Sequence, residues 1–164
     1  MKTLYLVRHA EAGWDKSDLK DFDRPLTEHG RAEAAFVGSL LRTRGLLFDV
    51  IVCSVAVRAR ETATLLCKAA GFAGEVDFDE RIYEANTNRL VEVASGIDAE
   101  NGSVMLVGHN PGMESLVRYL TGEIEPMPTA AIAQMELDVD DWSSIHGGCG
   151  RLISIIRPAD EMVL

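Results

Sequence analysis

The fold is decided by residues 3–11, which read Thr3-Leu4-Tyr5-Leu6-Val7 and then, without a break, Arg8-His9-Ala10-Glu11. A short β-rich run, hydrophobic on both faces, is the pattern of a strand buried in a parallel sheet. The polar tetrad then falls at the carboxyl end of that strand, where open α/β sheets form their ligand crevices. An arginine beside a histidine at such an edge can pair an anion with a nucleophile or a base.

The same strand-then-helix pattern recurs along the chain. Phe48 to Ser54 reads as a second strand, and a helix follows from near Val57 to Ala70. Its apolar face is Ala59, Ala63, Leu66 and Ala70, and Gly71 stops it. Ser103 to Val107 gives another strand, followed at once by Gly108-His109-Asn110-Pro111-Gly112. There Asn110 suits a cap and Pro111 a first helical turn. The helix buries Met113, Leu116, Val117 and Leu120 and ends at Gly122.

Between the first two strands, a polar loop from Ala12 to Pro25 holds Trp14 as an anchor. Pro25-Leu26-Thr27 opens a helix capped by Thr27, with Ala32, Ala35, Phe36, Leu40 and Thr43 as its buried stripe and Gly45 as its stop. Glu75 to Phe78 predicts a strand, and Asn88 to Ser95 a short helix carrying Leu90, Val91 and Ala94. Beyond an acidic, proline-containing connection at 123–128, Ile132 to Val139 alternates like a half-exposed strand, and Leu152 to Ile156 completes an edge hairpin. The expected architecture is α/β: a three-layer α/β/α sandwich whose central sheet is mostly parallel with an antiparallel edge. Residues 1–164 read as a single domain.

Bulk composition narrows the function. With 16 Lys and Arg against 26 Asp and Glu, the formal net charge is −10. That balance excludes nucleic acid and anionic membrane as main partners, because both need a basic face. An anionic substrate would be attracted only locally, by a few placed arginines. Cys53, Cys67 and Cys149 have no metal-ligand spacing and read as idle thiols in a reducing cytoplasm. Arg8 interrupts the first apolar run too early for a signal peptide, and nothing approaches a membrane span.

Three strand-to-helix junctions carry the unusual residues. The first gives Arg8 and His9, the second puts Arg58 in the first turn of a helix, and the third gives His109. In a parallel sheet all three lie along one edge, facing helix N-termini whose N–H groups and dipoles favour an anion. Two arginines and two histidines there make a phosphate site without a metal. Arg58 is informative by itself, since a cation in a first helical turn opposes the dipole.

These residues resemble the histidine phosphatase (phosphoglycerate mutase-like) superfamily. Leu6-Val7-Arg8-His9-Ala10-Glu11 resembles its Arg-His-Gly signature, Ser54-x-x-x-Arg58-Ala59-x-x-Thr62-Ala63 its second motif, and Val107-Gly108-His109-Asn110 its late histidine. Pro25-Leu26-Thr27 also matches. The short length and the stretch from Pro126 to Ala133 are most similar to the SixA-type phosphohistidine phosphatases. The resemblance implies a metal-independent phosphatase with no cofactor. His9 would be the nucleophile, and Arg8, Arg58 and His109 would hold the phosphoryl oxygens. Ala10 stands where the signature has glycine, and Ala12 where many relatives carry Ser or Thr. The general acid would be Glu84 or Glu80, or neither, because a leaving imidazole is more easily expelled than an alkoxide. The substrate would be a phosphorylated protein or a small phosphorylated molecule, with phosphohistidine on a signalling or phosphotransfer protein favoured.

Other readings are tested against the same residues. A cysteine phosphatase needs five residues between cysteine and arginine, whereas Cys53 and Arg58 are separated by four. Cys53 also sits in an apolar run that disfavours a thiolate. A mutase would need an insertion closing over a small substrate to keep out water, and none is visible. A non-catalytic phosphoprotein-binding module would be favoured had His9 or Arg58 been replaced. His29 and His146 read as exposed residues, and Arg24 as a partner in a plain salt bridge.

Overall fold

The computed structural model describes residues 1–14 and 18–162. Six strands form one sheet in the order β3-β2-β4-β1-β5-β6. They are β1 (Lys2–Arg8), β2 (Val50–Cys53), β3 (Val76–Phe78), β4 (Ser103–Gly108), β5 (Ile132–Leu137) and β6 (Gly150–Ile156). The first four run parallel, and the β5–β6 hairpin closes the other edge antiparallel to β1. Among the described residues, five α-helices accompany them: α1 (Glu28–Thr43), α2 (Val57–Ala70), α3 (Thr87–Ser95), α4 (Gly112–Thr121) and α5 (Pro158–Glu161). None of the described helices is long and apolar enough to cross a membrane.

Strand alternation divides the interior into two layers. Leu4 and Leu6 of β1 pack with Leu90 and Val93 of α3 and with Met113, Leu116 and Leu120 of α4. Tyr5 and Val7 turn the other way, onto Ala34, Val37 and Leu41 of α1 and Ala59, Ala63 and Leu66 of α2. β1 is buried on both faces because helices cover both, which is why its sequence shows no polar alternation.

The helix ends follow local chemistry. Thr27 caps α1, its hydroxyl accepting from the Gly30 amide at 2.9 Å. Gly71 and Gly122 close α2 and α4 in the left-handed region, at φ 74° and 79°. Asn110 does not occupy the cap position of α4, which Pro111 takes. Its side chain reaches instead to Glu114 and to the Met127 carbonyl.

The buried stripe of α1 is displaced from the expected one. Gly30, Glu33, Ala34, Val37, Gly38 and Leu41 face inward, while Ala32 and Thr43 are exposed and Ala35, Phe36 and Leu40 are half-buried. Two close approaches fix this rotation. A Cβ at Gly30 would stand 2.0 Å from the Glu11 carbonyl oxygen, and one at Gly38 would stand 2.4 Å from that of Leu66. Glycines carry no hydropathy signal, so periodicity alone misplaces the face. Trp14 is exposed rather than anchoring its loop, and the Arg24 guanidinium lies over its ring at 4.3 Å.

Candidate active site

Sheet register assembles the site. β1, β4 and β2 are consecutive neighbours, with Arg8 opposite Gly108 and Cys53 opposite Val107. Beyond those pairs, the His9 amide donates to Gly108 O and the Ser54 amide to Val107 O, both at 3.0 Å. His9, His109 and Ser54 therefore leave the sheet side by side at its carboxyl edge.

His9 is buried, and its Nδ1 lies 2.7 Å from the Ala10 carbonyl oxygen. A carbonyl only accepts, so Nδ1 carries the hydrogen and Nε2 keeps its lone pair. The ring remains neutral because its pKa is lowered to about 4, by burial first and then by the charges of Arg58, Arg8 and Arg24. The Ala10 contact opposes that shift. The small residue at position 10 is fully buried, and its amide donates to Thr62 Oγ1 at 2.9 Å.

Arg58, also buried, points Nε at His9 Nε2 across 3.4 Å. Its outer edge is gripped by Asp21: the backbone carbonyl accepts from Nη1 at 2.7 Å and the carboxylate from Nη2 at 3.1 Å. The Tyr83 hydroxyl donates to the same carboxylate at 2.6 Å, and Arg24 Nε reaches it at 3.1 Å. These contacts, with Tyr83 contributing most, hold the Asp21 pKa down to about 2. Arg8 donates from Nη1 to the Met127 carbonyl at 3.2 Å, while its buried Nε has no hydrogen-bond partner among the described residues.

His109 stands beside His9, ring centroids 5.2 Å apart. Tyr83 meets it edge-on at 5.6 Å. Burial, then the neighbouring His9 and Arg58, lower its pKa to about 3.

Four of the residues singled out by sequence, Arg8, His9, Arg58 and His109, thus converge. Glu84 and Glu80 do not join them: both are exposed, and neither makes a side-chain hydrogen bond among the described residues. Glu84 adopts φ 56°, an uncommon backbone state for a side chain of its kind, directly after the site residue Tyr83. His29 and His146 are exposed, and Arg24 forms its salt bridge with Asp21. The Cys53 thiol is pushed far up by burial, opposite to what a nucleophilic thiolate needs. Among the described residues, no group of three or more His, Cys, Asp or Glu could hold a metal ion. Asp21, Tyr83 and Ser54 complete the surroundings without having been singled out, although Ser54 lies in a motif that carried a signal.

Comparison with known proteins bears on this arrangement. The family model "Histidine phosphatase superfamily (branch 1)" matches residues 4–92. The chain is 31% identical over 150 residues to an uncharacterised chloroplastic protein of Arabidopsis thaliana, covering 86% of this chain and 69% of that one. A crystal structure from Agrobacterium tumefaciens, assigned to the phosphohistidine phosphatase SixA, superposes with a TM-score of 0.83 at 30% identity, covering 96% of this chain and 98% of that one. A 2,3-bisphosphoglycerate-dependent phosphoglycerate mutase of Mesorhizobium japonicum is 40% identical over 74 residues, which is 43% of this chain and 35% of the mutase.

Proposed function

The chain belongs to the histidine phosphatase superfamily as a hydrolase of phosphate esters, and from that membership we propose that it dephosphorylates phosphohistidine on a protein, with His9 as the covalent carrier. The observation that carries this reading is the His9–Ala10 contact. It fixes the one neutral tautomer whose lone pair sits on Nε2, where Arg58 Nε–H faces it at 3.4 Å.

In the first step the Nε2 lone pair attacks phosphorus and the P–N bond of the substrate breaks. The departing imidazole takes a proton from water. In the second step water attacks the phosphorus carried by His9, the P–Nε2 bond breaks, and inorganic phosphate leaves with one of the water's hydrogens bound and the other released. His9 returns neutral. One difficult displacement becomes two easier ones. Arg8 and Arg58 supply planar, permanently charged forks to the phosphoryl oxygens, and His109 adds a donor. Losing one such donor from a water-poor site costs about 3–4 kcal/mol of barrier.

A phosphoramidate needs no carboxylic acid at its leaving group, so Glu84 and Glu80 matter only for esters. Of the two, Glu84 is the proposed acid for those. Residues 1–164 act as one domain in this reading, and a reducing cytoplasm suits the three free, buried cysteines.

The test is to mix the enzyme with a protein carrying radiolabelled phosphohistidine and quench in alkali. An alkali-stable, acid-labile label on His9 is the expected result, absent from His9→Ala. A label on another side chain, or turnover undiminished in His9→Ala, would refute the mechanism. Running an aryl phosphate and 3-phosphoglycerate alongside separates a protein phosphatase from a small-molecule phosphatase or a mutase.

A further inference from the structure

Ser54 is fully buried at the end of β2, and its Oγ has two hydrogen-bond neighbours among the described residues. One is the Ala56 amide at 3.3 Å, which can only donate. The other is His109 Nε2 at 2.7 Å. The hydroxyl hydrogen therefore has a single acceptor, and that acceptor is Nε2.

The opposite arrangement satisfies less. If Nε2 carried the imidazole hydrogen, the serine hydrogen would have no acceptor and His109 Nδ1 would be a bare acceptor with no donor. Each buried group left unmet in this way keeps its full desolvation penalty. With the serine donating, only Nδ1–H remains, and Nδ1 is buried with no partner among the described residues. An N–H in that position calls for an acceptor, and the phosphoryl oxygens of a group carried on the adjacent His9 are acceptors. The low pKa of His109 supports a ring with a single hydrogen.

We propose that Ser54 is a positioning residue that holds the hydrogen of His109 on Nδ1, making the second histidine a donor to the phosphoryl oxygens. The inference rests on the phosphoryl-transfer reading above. It also assigns the two imidazoles complementary states. His9 commits Nδ1–H to the Ala10 carbonyl and offers Nε2 as a lone pair. His109 commits Nε2 to the Ser54 hydroxyl and offers Nδ1–H.

Nitrogen-15 NMR of the histidine rings at neutral pH tests this in the wild-type protein without substrate. A protonated Nδ1 and a bare Nε2 on His109 are expected, and the reverse tautomer overturns the proposal. In Ser54→Ala the Nε2–H form should gain population and kcat should fall about tenfold or more, with KM little changed. Ser54→Thr, which keeps the hydroxyl, should restore both. A Ser54→Ala protein with the wild-type tautomer and unchanged kcat would also sink the assignment. The wild-type spectrum decides the matter even if the variant does not fold. It is also independent of which residue takes the radiolabel, so failure of the His9 mechanism and failure of the Ser54 role are distinguishable.

Discussion

His9 stays uncharged at ordinary pH because water is excluded and guanidinium groups surround it, and both effects disfavour an imidazolium. As pH falls through about 4 the lone pair is lost, so kcat/KM should fall there, not near 6.5. Stability follows the same group. Above pH 6.5 the folded and unfolded rings are both neutral; between 6.5 and about 4 only the unfolded ring gains a proton, and stability drops as pH drops. The loss on His9's account reaches about 3 kcal/mol near pH 4. Urea unfolding at pH 7 and 4.5 should register it, and His9→Gln should lose less.

Asp21 acts on Arg58 through two contacts, a carbonyl and a carboxylate. Replacing the carboxylate in Asp21→Asn leaves the guanidinium less firmly aimed, and kcat/KM should fall on the order of tenfold. The melting temperature should hardly move, because a half-exposed ion pair contributes little to stability. If steady-state kinetics matched wild type, Asp21 would have no part in aiming Arg58.

The four converging residues were legible because each sits at a strand-to-helix junction, where sheet topology already gathers side chains. Asp21 was not. It lies in a loop with Asp18 and Asp23, and nothing local distinguishes the carboxylate that meets Arg58 from those that do not. Tyr83 was equally silent, since its position depends on the 3₁₀ turn at Glu80–Ile82 rather than on any periodic pattern.

At the scale of elements, the sequence located β1–β6 and α1–α4 to within a few residues, yet it missed the short α5 and misplaced the inward face of α1. Hydropathy sees side chains, while this face is set where side chains are missing. Gly38 lets α1 approach α2 so closely that a Cβ would also meet that of Ala69 at 2.9 Å. Gly38→Ala should destabilise the fold by about 1–3 kcal/mol through overpacking. Chemical denaturation would measure this, and rates per folded molecule should be retained. Glu33, buried on the same face, accepts from the Glu11 amide at 2.9 Å and from the Thr129 hydroxyl at 3.0 Å. A polar residue in a core stripe is invisible to a pattern search, though here its partners explain its burial.

Across the whole molecule, the two ends of the sheet have separate duties. At the amino ends of the parallel strands, fully buried Trp142 donates to the Asn101 carbonyl at 2.7 Å, and Lys2 Nζ reaches the same oxygen at 3.1 Å. Trp142→Ala removes a large core side chain far from His9, so stability should fall by about 3–5 kcal/mol. At a temperature where the variant remains folded, kcat should stay at the wild-type value. A large fall in kcat would mean that the two ends are coupled through the sheet.

The position of β1 bears on how the protein comes into being. It precedes the other five strands of its sheet along the chain, but its sheet partners are residues 103–108 and 132–137. Until the ribosome has made those segments, the strand that leads into His9 has no neighbour on either edge. Such distant pairing slows folding and leaves the early chain exposed to misassociation. Catalytic competence should therefore arrive abruptly, once residues 132–137 are free to pair.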